Sequence, residues 1–186
     1  SSVYFDSGTD LIQVDSLAGF EWPETFTWEA WLRWEPSLGS GKPHVVAIGD
    51  IHSGSRSRGV AVLELGWGSD PWHFACDTSS PWSGGFHGLI SDSTGYWGYC
   101  PKSNTTMAME EWTHIALVVD NDTARLFSAG ELVGTQTISA ITRSDATPLI
   151  IGQGYGGTIG SIRLSNVARY TTDFSVGSLG NDDNTV

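Results

Sequence analysis

Apolar and polar side chains alternate with a period of two along several short stretches of this chain. In Phe26–Trp34 the even positions Phe26, Trp28, Ala30, Leu32 and Trp34 are apolar. The odd positions Thr27, Glu29 and Arg33 are polar, with Trp31 the exception. Strict alternation marks an extended strand with two unlike faces. Shorter runs at residues 3–5, 11–14, 45–49 and 60–65 read as further strands. From Trp112 the pattern is a meander: Trp112–Asp120, a turn at Asn121-Asp122, then strands at 124–127, 132–138, 149–152 and 158–164. Asn and Asp suit such a turn because they tolerate the left-handed backbone conformation. Residues 105–111 are read as one helical turn, too short to stand alone. Period-two placement predicts Trp28, Trp34 and Trp112 in the core. His114, inside an apolar strand, is expected to be a hydrogen-bonded core histidine.

No long helical periodicity, internal repeat or domain linker interrupts this pattern. Gly (23) and Pro (7) are scattered throughout, as the turns of a sandwich or barrel require. A chain of 186 residues predicts one domain over 1–186, able to bury roughly 70% of its unfolded surface. The predicted fold class is all-β, a two-sheet antiparallel β-sandwich.

Charge narrows the partners. Nine Lys and Arg against 21 Asp and Glu give a formal net charge of −12. Such a surface repels phosphate backbones and anionic bilayers, so neither nucleic acid nor membrane insertion is expected. No apolar run approaches the roughly 20 residues needed to span a bilayer, and no signal peptide is visible in the stretch that begins at Ser1. Cys76 and Cys100 are the only cysteines. They are a disulfide candidate, worth about 3–4 kcal/mol in the loop-entropy account; the alternative is two free thiols in a reducing compartment.

The order of several strings carries a resemblance. Phe26-Thr27-Trp28-Glu29-Ala30-Trp31 resembles an "F-T-x-E-A-W" strand, and Trp112-Thr113-His114-Ile115-Ala116 a "W-x-H-x-A" strand. Pro148-Leu149-Ile150-Ile151-Gly152 resembles "P-L-x-I-G", and the segment from Gly157 to Phe174 resembles a closing strand and exit loop. Together they resemble laminin-G-like jelly rolls of the concanavalin A-like lectin/glucanase superfamily. The resemblance implies a concanavalin A-like jelly roll. It does not imply one ligand, because a fold hosts many functions. Two departures stand out. The turn reads Ser128-Ala129-Gly130 where relatives carry Asn-Gly, and Gly160-Ser161 replaces an Asp-Glu pair, which removes two carboxylates from any inherited cation site.

Candidate chemistry concentrates between Gly66 and Cys100, where Trp67, Trp72, Trp82, Phe86, Tyr96, Trp97 and Tyr99 cluster. Flat rings pack on the C–H faces of sugars while polar neighbours take the hydroxyls. Alternation from Cys76 and Cys100 directs His73, Trp97 and Tyr99 outward, and Trp82 sits in a Pro-Trp-Ser-Gly-Gly loop. The candidate ligand-binding residues are therefore Trp82, Trp97, Tyr99, His73 and Trp67.

No catalytic machinery is legible, so an enzyme is not expected. Glycosidases need two acids presented together, whereas adjacent Glu110 and Glu111 would point to opposite faces of a strand. His44, His52 and His87 have no metal-ligand spacing. No cofactor is expected to be required. Structural Ca²⁺ on Asp6, Asp10, Asp120 and Asp122 is the weaker alternative to solvated turn aspartates. Asn104-Thr105-Thr106 and Asn121-Asp122-Thr123 match the glycosylation acceptor pattern.

The expected function is non-catalytic recognition of a carbohydrate or cell-surface ligand, at an extracellular or virion surface. One alternative is a virion decoration or tail-fibre protein contacting other virion subunits, since the closing string resembles endings in phage tail and capsid-surface domains. A glycosidase or polysaccharide lyase is the other.

Overall fold

The computed structural model describes residues 2–15, 24–39, 43–50, 58–67, 83–91, 97–139, 148–180 and 182–185. Twelve strands are described: β1 Val3–Phe5, β2 Ile12–Val14, β3 Phe26–Trp34, β4 His44–Asp50, β5 Arg58–Trp67, β6 Ser83–Ser91, β7 Trp97–Tyr99, β8 Trp112–Asp120, β9 Thr123–Ser128, β10 Glu131–Thr137, β11 Leu149–Ile151 and β12 Gly157–Ser165. They form two six-stranded sheets. The first runs β1-β12-β3-β8-β9-β10 and the second β2-β11-β4-β5-β6-β7. Every pairing is antiparallel. The chain crosses between the sheets at β1–β2, β2–β3, β3–β4, β7–β8, β10–β11 and β11–β12, as expected of a jelly-roll sandwich.

The interior lies between the sheets. From the first come Phe5, Trp28, Leu32, Trp34, Leu117 and Ile159; from the second, Val46, Ile48, Leu63, Leu65, Phe86 and Ile90. The alternation in Phe26–Trp34 thus delivers its even positions to the core, as the sequence predicted. Two tight turns drive the β8–β9–β10 meander. Asn121 has φ 51°, and Ala129 and Gly130 have φ 50° and 87°. The paired left-handed residues of the second turn match the right-handed twist of the flanking strands. At Gly130 the demand is absolute, since a Cβ would stand 2.1 Å from the Phe174 carbonyl oxygen.

Two expectations are corrected. Residues 105–111 form bends and no helix; Glu110 takes φ 60°, and its N–H donates to the Trp34 carbonyl at 2.8 Å. Trp112 is not core: it is 49% exposed. On β8 the inward positions are Ile115, Leu117 and Val119, and Trp112 has the opposite parity, shared with His114. It belongs to the outer face of the first sheet.

That outer face has two unlike halves. Along β3, burial is complete on both faces from Phe26 to Ala30, then only the inward positions stay buried. β8 repeats the pattern, with His114 to Val119 buried and Trp112 exposed. The cause is the segment after β12, which lies across one half. Ala168, Tyr170 and Phe174 pack on a second apolar cluster of Ala116, Val118 and Phe127. The Phe174 N–H donates to the Gly130 carbonyl at 2.9 Å, and the Leu132 N–H donates to Asp173 Oδ1 at 2.8 Å.

Candidate functional site

Under this C-terminal strap sits a polar cluster built from three of the strings singled out in the sequence. Glu29 on β3 is fully buried. His114 Nε2 lies 3.0 Å from its Oε2, and the Tyr170 hydroxyl donates to Oε2 at 2.9 Å. Arg163 on β12 donates through Nε to Oε1 at 2.7 Å, while Arg169 Nε stands 3.8 Å from Oε1. An ionised carboxylate only accepts, so His114 presents Nε2–H. Burial alone would raise the pKa of Glu29. The bonds from His114, Arg163 and Tyr170 outweigh it and hold the carboxyl below its ordinary value. Tyr170 is pushed up to about 12, first by burial and then by the Glu29 charge.

The guanidinium groups carry the cluster out to the strap. Arg163 Nη1 donates to the Gly180 carbonyl at 2.8 Å. Arg169 makes a bidentate pair with Asp182, at 2.8 and 2.7 Å. The Thr27 hydroxyl donates to the Val167 carbonyl and accepts from the Arg169 N–H, at 2.7 and 3.0 Å. Tyr170 and Phe174 stack face to face above His114, whose ring meets Phe174 edge-on. This set of acid, imidazole, phenol and guanidinium resembles catalytic equipment in composition. Its geometry is that of a clamp. Every Glu29 oxygen is engaged, and no face of the carboxylate is open to a substrate.

The residues chosen from the sequence fall differently. His73 and Trp82 lie outside the described residues, as does Cys76. Trp67 and Trp97 are described as backbone: Trp67 pairs with Ser83 and Trp97 with Ser91. Those partners are the two ends of the nine-residue β6, so the two tryptophan positions stand roughly 27 Å apart at about 3.4 Å per residue. The structure does not bring them together. Tyr99 packs against the main core, and its hydroxyl bonds to that of Ser139. Alternation from Cys100 had aimed Tyr99 outward; Cys100 and Tyr99 are instead both drawn inward where the short β7 ends. Cys100 is disulfide-bonded.

The aspartates named for Ca²⁺ divide between opposite ends of the first sheet. Asp10 accepts from the Asp6 and Ser7 N–H groups in the turn after β1. Asp120 and Asp122 flank the β8–β9 turn, where Asp120 pairs with Arg125 at 3.7 Å and Asp122 accepts from Thr123. Among the described residues no group of three or more His, Cys, Asp or Glu side chains could hold a metal ion.

The bare half of the first sheet's outer face was missed in the sequence. Register places Tyr4, Thr158, Arg33 and Trp112 in one row across β1, β12, β3 and β8. Tyr4 is 55% and Trp112 49% exposed. Trp31, half-buried beside them, meets His114 edge-on at a ring separation of 5.6 Å. Between the rings, Arg33 donates to the Glu110 carbonyl at 3.0 Å and pairs with Glu35. Local desolvation, then the Glu35 carboxylate, raises the Tyr4 pKa above the usual phenol range. The signal available in the sequence was the parity of Trp112 with His114 rather than with Ile115.

A two-sheet jelly roll whose closing strand and exit segment lock onto the "E-A-W" and "W-x-H" strands defines a class of domain. The family model described as the concanavalin A-like lectin/glucanases superfamily matches residues 6–173, and the chain belongs to that family. No curated protein matches the sequence. Among solved structures, a candidate carbohydrate binding protein from Bacteroides ovatus is similar with a TM-score of 0.58 and 16% identity, over 86% of this chain and 42% of that one. The present chain thus spans less than half of that protein. A heptameric SAP-like pentraxin from Limulus polyphemus gives a TM-score of 0.58 at 10% identity, over 91% and 77% of the two chains. A CBM40 domain of the Ruminococcus gnavus IT-sialidase, solved bound to α2,3-sialyllactose, gives 0.56 at 13% identity, over 86% and 94%. At these identities the likeness is one of fold.

Proposed function

We propose that this chain is a non-catalytic carbohydrate-recognition domain. The observation that carries the reading is a division of labour. Among the described residues, the buried cluster with the composition of an active site is sealed under the strap, with its carboxylate bonded on both oxygens. Aromatic rings are left at the surface instead, Tyr4 and Trp112 about half exposed. Rings of that kind bind sugars by stacking while flanking polar groups take hydroxyls. The binding described for the Ruminococcus gnavus domain and the description of the Bacteroides ovatus protein lend support at the level of a shared fold. The disulfide at Cys100 favours an oxidising, extracellular setting.

Two groups of aromatic residues are candidates for such a role. One is the Trp- and Tyr-rich stretch between Gly66 and Cys100, with Trp67, Trp82, Trp97 and His73. The other is the bare half of the first sheet. A glycan array probed with the intact chain tests the shared reading. Saturable retention on at least one glycan, without release of reducing ends from the matching polysaccharide, is the expected result. Retention on none, or turnover abolished by changing one carboxylate, contradicts it.

A further inference from the structure

We propose that the bare half of the first sheet's outer face, centred on Trp112, Arg33 and Tyr4, is the binding platform, and that its ligand is a neutral oligosaccharide chain. The inference rests on the carbohydrate reading above and goes beyond it in naming the face and the ligand's charge.

Three observations carry it. The first is spacing. Tyr4 and Trp112 are three strand positions apart in one row, roughly 14 Å at about 4.8 Å per strand. That distance spans several units of an extended glycan and is too long for a single sugar. The second is preorganisation. Arg33 is held by the Glu110 carbonyl and by Glu35, so donors and an acceptor stand fixed between the rings, and little side-chain freedom is lost on binding. The third is the floor. A Cβ at Gly160 would lie 3.1 Å from Trp112 Cζ3 and 3.4 Å from Trp31 Cβ. The absence of a side chain there leaves room for the Trp112 indole beside the β12 bulge between Ile159 and Ile162, while the ring stays half exposed.

Charge selects the ligand class. A net charge of −12 disfavours uronates, sialates and sulfated glycans at long range, and the one guanidinium in the row is already paired with Glu35. Hydroxyls can use the remaining donor and acceptor capacity of Arg33, Glu35 and the Tyr4 phenol without burying an unpaired charge.

Isothermal titration with a panel of hexasaccharides tests this: neutral β-1,4-glucan, β-1,3-glucan, β-1,4-mannan and β-1,4-xylan chains, with polygalacturonate and sialyllactose as the acidic arm. The intact chain is expected to bind at least one neutral member. Trp112→Ala should weaken that binding tenfold or more and Tyr4→Ala severalfold, while Trp112→Phe recovers part of it. Thermal midpoints should stay near that of the unaltered protein, since both rings are exposed. If a neutral hexasaccharide binds equally well to Trp112→Ala and Tyr4→Ala, this face is wrong and the carbohydrate reading survives. If only acidic glycans bind, the ligand class is wrong. If nothing binds, both readings fall. A homodimer that Trp112→Ala disperses would assign the face to a second copy and overturn the proposal.

Discussion

The outer face of the first sheet is one surface with two fates. At one end, β3 and β8 present Glu29, His114, Ala116 and Val118 to a strap that covers them completely. At the other end, the same two strands present Trp31, Arg33 and Trp112 to solvent. The covered half is richer in ionisable chemistry and the bare half richer in exposed ring area. Residue type alone would assign function to the first and structure to the second. Burial and bonding reverse the assignment. A carboxylate bonded on both oxygens is spent on holding the strap, whereas a half-exposed indole beside a fixed guanidinium is available.

The largest expected effect lies in the covered half. Glu29→Ala strips the buried His114 and the largely enclosed Arg163 of their shared carboxylate and should cost about 3 kcal/mol, read by urea unfolding. Phe174→Ala removes the ring stacked on Tyr170. It should cost about 2 kcal/mol, less than the roughly 3–5 of a fully buried ring, because Phe174 is only partly enclosed. Acid tests the same cluster without mutation. Glu29 and Asp182 both have folded-state pKa values below their ordinary ones, Glu29 despite its burial and Asp182 chiefly through Arg169. Their contribution is therefore present above the unfolded carboxylate range and is lost as pH falls through the folded values. The thermal midpoint should be level from about pH 7 to 5 and drop below about pH 4, and Glu29→Gln should flatten part of that drop. The smallest effects fall outside the strap. Ala129→Asn suits the left-handed backbone at that position and should raise stability by up to about 1 kcal/mol in the same unfolding assay. Trp112→Ala should change stability by less than about 0.5 kcal/mol.

Much of the fold was legible because β-sandwich physics is local. The alternation in β3, the Asn121 turn and the Ala129-Gly130 turn each announce themselves within a few residues. The resemblance supplied the order of strands, and its strings mark the pieces of the strap clamp. What the strings could not reveal is that they meet. Arg163 and Tyr170 lie 134 and 141 positions from Glu29, and only the sheet order brings them together. Trp112 was misplaced because β8 is apolar on both faces over most of its length, so hydrophobicity no longer tells inside from outside. Its neighbours decide it, with Ile115 and Leu117 inward and His114 outward. The density of Trp and Tyr between Gly66 and Cys100 likewise said nothing about proximity. Register sends Trp67 and Trp97 to opposite ends of β6, and Tyr99 turns to the core.

The division between the two halves is tested most directly by measuring, on one preparation each of Trp112→Ala and Phe174→Ala, both the thermal midpoint and the affinity for the best neutral hexasaccharide. The expected outcome is a crossing: Trp112→Ala keeps its midpoint and loses binding at least tenfold, while Phe174→Ala loses several degrees and keeps its affinity at a temperature where it is folded. Equal affinity in the two variants, or a collapse of stability in Trp112→Ala, would contradict the account.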